Sequence, residues 1–382
     1  MKKPVLIFAS IQRKSSLRYS GCIRLKRHIC SGSRRTGFIF VIWGDMPITV
    51  AAAAHPNLAL VKYWGQLDYG INIPANNSIS VNLSGAKTVT SVTFDATSGQ
   101  DQIIINGQPA DRLTQQRVSG HLDRVRALAG IDVCALVKSV NDFPVSVGFA
   151  SSASAYAALS LAASRAAGLV LSERELSILA RKGSGSACRS IPGGYVEWYA
   201  GFDDATSYAA SLAPCDYWDI TIVSVLMSKI PKKVSSMEGH AAVPSSPYAG
   251  LRPAQVAESM RTIREGLRLR DMSVLGMEVE REAIAFSAIA MTSRLEAYPW
   301  FSGIYYWDTG TMSLVQAIQQ WRFAGLPVYF TLDAGPTMHL ICERQQLEDV
   351  RQSLYHEFPE YYPDIITSYP GRGAWIIDEE NL

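Results

Sequence analysis

The chain has 382 residues and a formal net charge of +2, with 48% hydrophobic and 18% charged residues. This balance is typical of an ordinary globular protein, and no apolar run is long enough to predict a membrane-spanning helix. The six cysteines lack CxxC spacing, so zinc binding is poorly supported and a reduced, cytoplasmic compartment is the simpler expectation.

The first 45 residues differ in composition from the remainder. They hold ten Lys/Arg and one acid, Asp45, which leaves residues 46–382 with a net charge of −7. Three interpretations stay open: a targeting peptide, a disordered basic arm, or a stretch upstream of a true start at Met46. We favour the third because patterned sequence begins directly after Met46. The acidic remainder argues against a general affinity for nucleic acid.

From Ile48 onwards the pattern predicts alternating strands and helices. In chain order these are strands at Ile48–Ala54, Ser78–Leu83, Thr88–Phe94 and Gln102–Ile105, a helix at Thr114–Leu128, a strand at Ala135–Asn141, helices at Ser151–Ala167 and Ser172–Ala180, and strands at Tyr195–Tyr199 and Ile220–Met227. Residues 229–252 are predicted to be a polar connection and 253–286 to hold two helical stretches. A helix at Thr311–Trp321 and a strand at Val328–Leu332 follow. The mixture predicts an α+β chain with two lobes that meet near residues 200–220.

One segment combines a strand end, a small-residue turn and a long helix. Phe143–Ala157 reads FPVSVGFASSASAYA and passes through Gly148 before the helix begins. A helix N-terminus carries unpaired N–H groups and partial positive charge, and glycine and serine let an anion approach closely. The segment therefore indicates a phosphate site, although an ordinary serine cap on an alanine-rich helix explains the pattern about equally well.

A second segment, Ala180–Trp198, reads ARKGSGSACRSIPGGYVEW. Its serines and glycines indicate a flexible, hydroxyl-lined turn around Ser184 and Ser186. Arg189 follows Ser186 by three residues, so a helical turn would bring both to one side, and a planar guanidinium suits a carboxylate. A solvated arginine in a Ser/Gly loop is the commoner fate of such composition.

Two further segments place charged residues beside turns. Thr331–Thr337 reads TLDAGPT, so a strand delivers Asp333 into a Gly-Pro turn, where catalytic side chains are often displayed. His55–Ser80 contains Lys62 within a run of small and aromatic residues. Taken singly, the first also suits an Asx-type turn and the second a surface lysine.

These segments, taken in their order along the chain, resemble the diphosphomevalonate decarboxylases of the GHMP kinase superfamily. The phosphate turn is similar to the family loop P-x-x-x-G-[LF]-x-S-S-A, and D-A-G-P and K-Y-W-G recur as family motifs. The resemblance spans about residues 48–342. It implies an α+β, two-lobed GHMP-kinase fold, with an N-terminal lobe at 46–215 that is shared with a ribosomal-protein domain and a ferredoxin-like C-terminal lobe at 216–382.

The resemblance also implies roles for the matching residues. Catalysis is expected from Asp333, as base or orienting group, from Arg189 on the substrate carboxylate and from Lys62 near the reacting hydroxyl. Substrate contacts are expected from Asn57, Tyr63, Gln66, Arg117, Ser184 and Ser186, and ATP contacts from Gly148, Ser151, Ser152, Ala153, Ser235 and Ser236. ATP is the expected cofactor together with the Mg²⁺ that it carries, and a homodimer is expected because homodimers are common among similar proteins.

Two positions depart from the family pattern. The family motif usually continues K-Y-W-G-K-R, whereas here neutral Gln66 replaces the lysine that contacts the substrate diphosphate, and Thr337 replaces the usual asparagine. A subgroup of similar fold decarboxylates 5-phosphomevalonate to isopentenyl phosphate, so we expect the monophosphate as substrate. Diphosphomevalonate is the alternative. A small-molecule kinase without decarboxylation and an RNA-binding protein are more distant alternatives.

Overall fold

The computed structural model describes residues 48–95, Thr97, 99–143, 151–228 and 232–377, together with two short paired strands, Lys26–Arg27 (β1) and Phe38–Ile39 (β2). Contacts divide the chain into two units, Met1–Pro47 and Ile48–Leu382, and the second holds all the other described strands and helices. The three interpretations of the basic segment concern residues that, apart from β1 and β2, lie outside the described residues.

The second unit alternates strands and helices along the chain. The strands are Thr49–Ala54 (β3), Asn57–Val61 (β4), Gln66–Asp68 (β5), Ile73–Pro74 (β6), Ser78–Asn82 (β7), Thr88–Asp95 (β8), Gln102–Ile105 (β9), Gln108–Pro109 (β10), Cys134–Asn141 (β11), Tyr195–Tyr199 (β12), Tyr208–Ala213 (β13), Ile220–Val225 (β14), Tyr329–Leu332 (β15), Met338–Glu343 (β16), Ile365–Ser368 (β17) and Trp375–Ile377 (β18). The helices are Arg112–Ala129 (α1), Ser151–Ala166 (α2), Glu173–Gly183 (α3), Ser236–Ala242 (α4), Arg252–Leu269 (α5), Met272–Thr292 (α6), Thr309–Phe323 (α7) and Leu347–Glu357 (α8), and short 3₁₀ turns include Gly185–Ser190.

Most of these strands lie in three larger sheets. Their strand orders are β10-β9-β11-β8-β3-β18, β13-β12-β7-β4 and β15-β16-β14-β17, and β5 pairs with β6 separately. Most pairs are antiparallel, but β9 and β11 are parallel. Strand β18 pairs with β3, so the last described strand lies in the same sheet as the first strand of the second unit. The predicted lobe boundary between residues 215 and 216 stays a prediction. Strand β18 comes after this boundary in the sequence but pairs with β3, which comes before it.

Helix α2 is held against the six-stranded sheet by its alanines. Along β8 buried and half-buried residues alternate, which presents one face of the sheet to the core. Ala157 and Ala162 of α2 and Val92 of β8 belong to one buried cluster. Because alanine side chains are small, the helix lies close to the sheet and is buried on most of its surface. Its first turn, at Ser151 and Ser152, is therefore rigidly placed.

Helices α5 and α6 belong to a second core together with strand β4. Leu58 of β4, Ile263 of α5 and Val279 of α6 are fully or almost fully buried in one cluster. At Gly276 a Cβ atom would lie 2.1 Å from the ring of Tyr329, so α6 can approach β15 this closely only with glycine there. Among the described residues, none of the helices combines the length and the hydropathy that crossing a bilayer requires.

The predicted polar connection at residues 229–252 is wrong in part. The structure has helix α4 there, followed by 3₁₀ turns at Val243–Ser245 and Ala249–Leu251. Ser235 and Glu238 form a capping box at the start of α4, and the Ser-x-x-Glu spacing could have indicated it. The serines and prolines of this stretch therefore cap and end short helices.

Helix α3 begins with a capping box, which the Ser-x-x-Glu spacing of Ser172 and Glu175 indicates. The backbone N–H of Glu175 donates to Ser172 Oγ at 3.3 Å, and the N–H of Ser172 donates to the Glu175 carboxylate at 2.8 Å. Ser172→Ala should lower the free energy of unfolding by about 1 kcal/mol, because a helix N–H loses its partner. Urea unfolding followed by circular dichroism measures the change. Ser353→Ala is the control, because Ser353 Oγ only donates to a carbonyl inside α8. An equal loss in both variants would contradict the capping role.

Candidate active site

Lys62 and Asp333, which are 271 residues apart, form an ion pair. Lys62 Nζ lies 2.7 Å from Asp333 Oδ1 and also donates to the carbonyl of Ala59 at 2.7 Å. Lys62 directly follows β4 and Asp333 directly follows β15, so the pair joins two of the sheets. The Lys62 side chain is 3% exposed and that of Asp333 is 23% exposed, so the carboxylate keeps an open side that a ligand can reach.

Burial and pairing set the charges of these two groups. Burial lowers the pKa of Lys62 below its ordinary value, although Asp333 and Glu282 act in the opposite direction. Burial alone would raise the pKa of Asp333, but the ammonium of Lys62 and the other positive groups nearby together reverse this effect, so the pKa lies below the usual value. His339 and Arg189 act on Asp333 in the same direction as Lys62. The Asp333 carboxylate is therefore ionised at neutral pH.

Arg189 is a buried guanidinium with neutral hydrogen-bond partners. Its Nε donates to Asn57 Oδ1 at 3.1 Å and its Nη1 to Ser78 Oγ at 2.7 Å. Asn57 in turn donates to the carbonyl of Ser186 at 3.0 Å and to Ser190 Oγ at 2.8 Å. The predicted helical turn is present as the 3₁₀ turn that holds Ser186 and Arg189. Because these partners carry no charge, the guanidinium keeps its positive charge for an anionic ligand.

Hydroxyl groups from three segments meet beside this turn. Ser184 Oγ donates to Ser152 Oγ at 3.2 Å, which joins the end of α3 to the first turn of α2. A Cβ atom at Gly185 would lie 2.7 Å from the hydroxyl of Tyr63, so Tyr63 packs directly on this glycine. A helix N-terminus lined with hydroxyls suits a phosphate group. Ser151 is half-buried at the same helix start.

The remaining residues of the predicted ATP site lie in different surroundings. Ala153 is buried within α2, and Gly148 lies outside the described residues. Ser235 caps α4 and donates to Glu238 Oε2 at 2.7 Å. Ser236 Oγ accepts a hydrogen bond from a lysine ammonium, that of Lys232.

Lys232 is a site residue that the sequence analysis did not single out. Its Nζ donates to Ser236 Oγ at 2.8 Å and to the carbonyl of Ala334, next to Asp333, at 2.7 Å. Burial lowers its pKa to about 8, and Asp333 acts in the opposite direction. The Lys-Lys-Val-Ser-Ser run was the available signal, but a lysine in a polar run usually lies in solvent.

Gln66 is tied into the protein by its amide. Its Nε2 donates to the hydroxyl of Tyr63 and to Asn72 Oδ1, the latter at 3.1 Å. Asn72 has a left-handed backbone with φ of 55°, and its Nδ2 donates to the carbonyl of Arg181 at 2.9 Å. Both amide hydrogens of Gln66 therefore have partners inside the protein.

Arg117, a predicted substrate contact, lies on helix α1. It is exposed on α1, and its guanidinium is 5.7 Å from the ring centroid of Tyr156 in α2.

Among the residues that the structure describes, no cluster of three or more His, Cys, Asp or Glu side chains is placed to hold a metal ion. Positive charge gathers instead around Asp333, where Lys62, Arg189 and Lys232 all act on the carboxylate.

The fold and the site together define an α+β protein of the GHMP kinase class, which has a helix start lined with hydroxyls and a Lys–Asp pair. Residues 54–209 match the profile of the diphosphomevalonate decarboxylase-like N-terminal domain, and residues 221–371 match that of the mevalonate 5-diphosphate decarboxylase C-terminal domain. The chain belongs to the diphosphomevalonate and phosphomevalonate decarboxylase family and is an ATP-dependent decarboxylase of the mevalonate pathway. The predicted family, fold and class of enzyme are confirmed.

Some relatives are named for diphosphomevalonate and one is named for phosphomevalonate. Human diphosphomevalonate decarboxylase is 31% identical over 343 residues, which cover 82% of each chain. The phosphomevalonate decarboxylase of Haloferax volcanii is 29% identical over 304 residues, which cover 79% of this chain and 91% of the relative. The crystal structure of mevalonate diphosphate decarboxylase from Staphylococcus aureus is similar with a TM-score of 0.82 and 35% identity, covering 87% of this chain and 99% of that one. MDDEF in complex with MVAPP, AMPPCP and magnesium is similar with a TM-score of 0.79 and 33% identity, covering 87% of this chain and 100% of that one.

Removing the ammonium of Lys62 should change the titration of Asp333. In Lys62→Met the pKa of Asp333 should rise, because burial then acts without its largest opposing charge. Carbon-13 NMR of aspartate carboxyl groups measures the shift, and Asp333→Asn identifies the signal. Lys182→Met is the matched control, because Lys182 pairs with Asp204 instead. A titration of Asp333 that is the same in Lys62→Met as in the unchanged protein would mean that the pair does not form in solution.

Proposed function

We propose that the protein catalyses the ATP-dependent decarboxylation of 5-phosphomevalonate, giving isopentenyl phosphate, ADP, phosphate and CO₂. One observation carries the choice of substrate: the neutral amide of Gln66 stands where the family pattern has a lysine. The convergence of Lys62, Asp333 and Arg189 beside a pocket lined with hydroxyls supports the reaction itself. Residence in the cytoplasm and assembly as a homodimer stay predictions.

The substrate proposal follows from charge. A diphosphate is a denser anion than a monophosphate, and its outer phosphate needs a cation or several hydrogen-bond donors. Both N–H groups of Gln66 donate to Tyr63 and Asn72, so this side chain offers an outer phosphate neither charge nor a free donor. A monophosphate on Ser184, Ser186 and the Tyr63 hydroxyl has no such requirement. The name of the Haloferax volcanii relative agrees with this substrate.

Diphosphomevalonate is the second candidate, and the relatives favour it by number. The human enzyme and that of Aspergillus fumigatus, which is 34% identical over 302 residues, covering 73% of each chain, are both named for the diphosphate. The exposed guanidinium of Arg117 could contact either substrate. A kinase without decarboxylation would require the phosphate loop but not the Lys62, Asp333 and Arg189 set.

The proposed reaction assigns one task to each charged group. The tertiary hydroxyl of the substrate is a poor leaving group until it carries a phosphoryl group from ATP. The ionised Asp333 carboxylate orients this hydroxyl and accepts its proton as the oxygen takes the phosphoryl group and ADP leaves, and Lys62 offsets the negative charge that develops nearby. Arg189 holds the substrate carboxylate in a fixed direction. Phosphate then leaves with the C–O bond electrons, CO₂ departs, and the electron pair of the broken C–C bond forms the double bond.

ATP fits the described residues as the co-substrate. Ser151 and Ser152 at the start of α2 would contact its phosphates, and Lys232, Ser235 and Ser236 approach from the other side of the Asp333 turn. Magnesium would be carried by the nucleotide and would neutralise charge on the phosphates during transfer. The complex of MDDEF with AMPPCP and magnesium supports both groups as cofactors.

Asp333→Asn should keep ATP binding and lose turnover. The amide keeps the shape of the side chain but neither accepts a proton nor balances Lys62, so we expect kcat to fall by about 10²–10³. Release of CO₂ and ADP measures turnover, and titration calorimetry measures ATP affinity. Asp308→Asn is a matched control, because Asp308 only caps α7. Unchanged CO₂ release from Asp333→Asn would remove this residue from the mechanism.

Gln66→Lys should shift the substrate preference towards diphosphomevalonate. A lysine adds a positive charge beside the hydroxyl-lined pocket, and a charge-assisted hydrogen bond contributes about 1.5–3 kcal/mol. We therefore expect the ratio of kcat/KM for the diphosphate to that for the monophosphate to rise about tenfold or more. Purified protein with ATP and Mg²⁺, offered each substrate in turn, gives the ratio. Gln66→Met, which adds no charge, should not raise it. If the ratio in Gln66→Lys stays constant, this position does not set the choice.

A further inference from the structure

The backbone of Lys62 is held as firmly as its side chain. Its N–H donates to Glu282 Oε1 at 2.8 Å. Its carbonyl accepts from Arg252 Nη2 at 2.9 Å and from Asn76 Nδ2 at 3.0 Å. Together with the two bonds of Nζ, these contacts leave the residue no freedom to rotate without breaking hydrogen bonds.

Two of these contacts come from one buried ion pair. Arg252 Nη1 lies 2.9 Å from Glu282 Oε2, and Arg252 Nη2 contacts Glu282 Oε1. Arg252 is 4% exposed and Glu282 is 0% exposed. Gln255 adds a further bond to Glu282 Oε2 at 2.9 Å. The pair lies between α5 and α6. Arg252 Nη2 also donates to the Lys62 carbonyl, and Glu282 Oε1 also accepts from the Lys62 N–H.

Stability is a weak reason for such a pair. Desolvation of two charges offsets most of their attraction, and replacing a buried pair by apolar residues is often neutral or stabilising. Among the described residues, Arg252 Nε has no hydrogen-bond partner although it is buried, so the guanidinium is not fully satisfied. The geometry is better explained by what the pair contacts, which is a residue whose ammonium touches Asp333.

The pair also contributes to the charge balance around Lys62. The charged and titratable groups that act on Lys62 are Asp333 after β15, Glu282 on α6, Arg189 in the 3₁₀ turn and His339 on β16, with Arg252 on α5 bonded to its carbonyl. The Glu282 carboxylate raises the pKa of Lys62, against the effect of burial. Loss of this charge should therefore make the ammonium easier to deprotonate.

We propose that Glu282 and Arg252 are positioning residues, which fix the backbone of Lys62 so that its ammonium stays on the Asp333 carboxylate during phosphoryl transfer and decarboxylation. The inference rests on the proposed function in assigning a task to Lys62 and Asp333, but not on which phosphorylated mevalonate is the substrate. Neither residue touches the substrate; both act through Lys62.

Glu282→Gln tests the proposal, because the amide keeps the size of the side chain and removes the charge. We expect kcat to fall about 10- to 100-fold, since a small displacement of a reacting group has this cost, while KM for ATP stays unchanged. The alkaline limb of the pH–rate profile should also move to lower pH, in the direction set by the loss of a negative charge near Lys62. Glu278→Gln is the matched control, because Glu278 is buried on the same helix and accepts from Ser259 Oγ at 2.6 Å, without contacting Lys62.

A double variant separates positioning from general structure. In a Lys62→Met background, Glu282→Gln should lower kcat no further, because Glu282 acts through the Lys62 ammonium, which is then already absent. Additive losses, or equal losses in Glu278→Gln and Glu282→Gln, would overturn the proposal, as would a normal rate and pH profile in Glu282→Gln.

Two further outcomes keep the test decisive. If Glu282→Gln does not fold, the paired change Arg252→Met with Glu282→Met removes the charges together, which proteins often tolerate. This variant should fold and still show the loss of kcat, and a normal kcat in it would overturn the proposal. All variants are measured on both 5-phosphomevalonate and diphosphomevalonate. Turnover of only the diphosphate defeats the substrate proposal while leaving the comparison of variants intact, whereas a normal kcat in Lys62→Met alone would defeat the task assigned to Lys62.

Discussion

The structure depends on bringing an ammonium and a carboxylate together out of water at the junction of two sheets. Such a pair is unfavourable unless both partners are held in good geometry, because desolvation offsets much of the attraction. Here Lys62 is fixed by its own backbone hydrogen bonds, and Asp333 leaves strand β15 at a tight turn. The close approach of α6 to β15 at Gly276 sets the distance between the elements that support the two partners. Packing in the core thus positions the groups of the candidate active site.

The groups around the Lys62–Asp333 pair differ in the partners that each one has inside the protein. Asp333 is ionised because Lys62, His339 and Arg189 together outweigh the effect of burial on its pKa. Arg189 keeps its charge because Asn57 and Ser78 are neutral partners, and it is therefore suited to a ligand carboxylate. The hydroxyls of Ser152 and Ser184 lie at a helix start, which favours a phosphate without a formal positive charge. Under the proposed function, the carboxylate and phosphate ends of one substrate would thus be recognised by physically different means.

Local patterns in the sequence predicted those elements whose cause is local. The alternation along β8, the alanine-rich α2 and the Ser172–Glu175 capping box all follow from neighbouring residues, and each is present. The strands β17 and β18 were not predicted, because they are short and half-buried and depend on distant partners. The site residues came from the family resemblance, whereas their contacts did not. A bond between residues 271 positions apart has no signature in either segment. Glu282 is likewise one more glutamate of a helix until α5 packs against it.

The neutral amide of Gln66 shows how a small change can alter recognition without altering the fold. Its two N–H groups donate to Tyr63 and Asn72, so both donors have partners without a bound anion. A lysine at this position would bring an ammonium beside Tyr63 and Asn72, which are neutral partners, so an anion would be its stronger partner. A diphosphate supplies that anion, but a monophosphate held at the serines does not extend to it. Under the proposed function, the amide suits the monophosphate because its donors already have partners in the free enzyme, and specificity follows from which state of the site is complete.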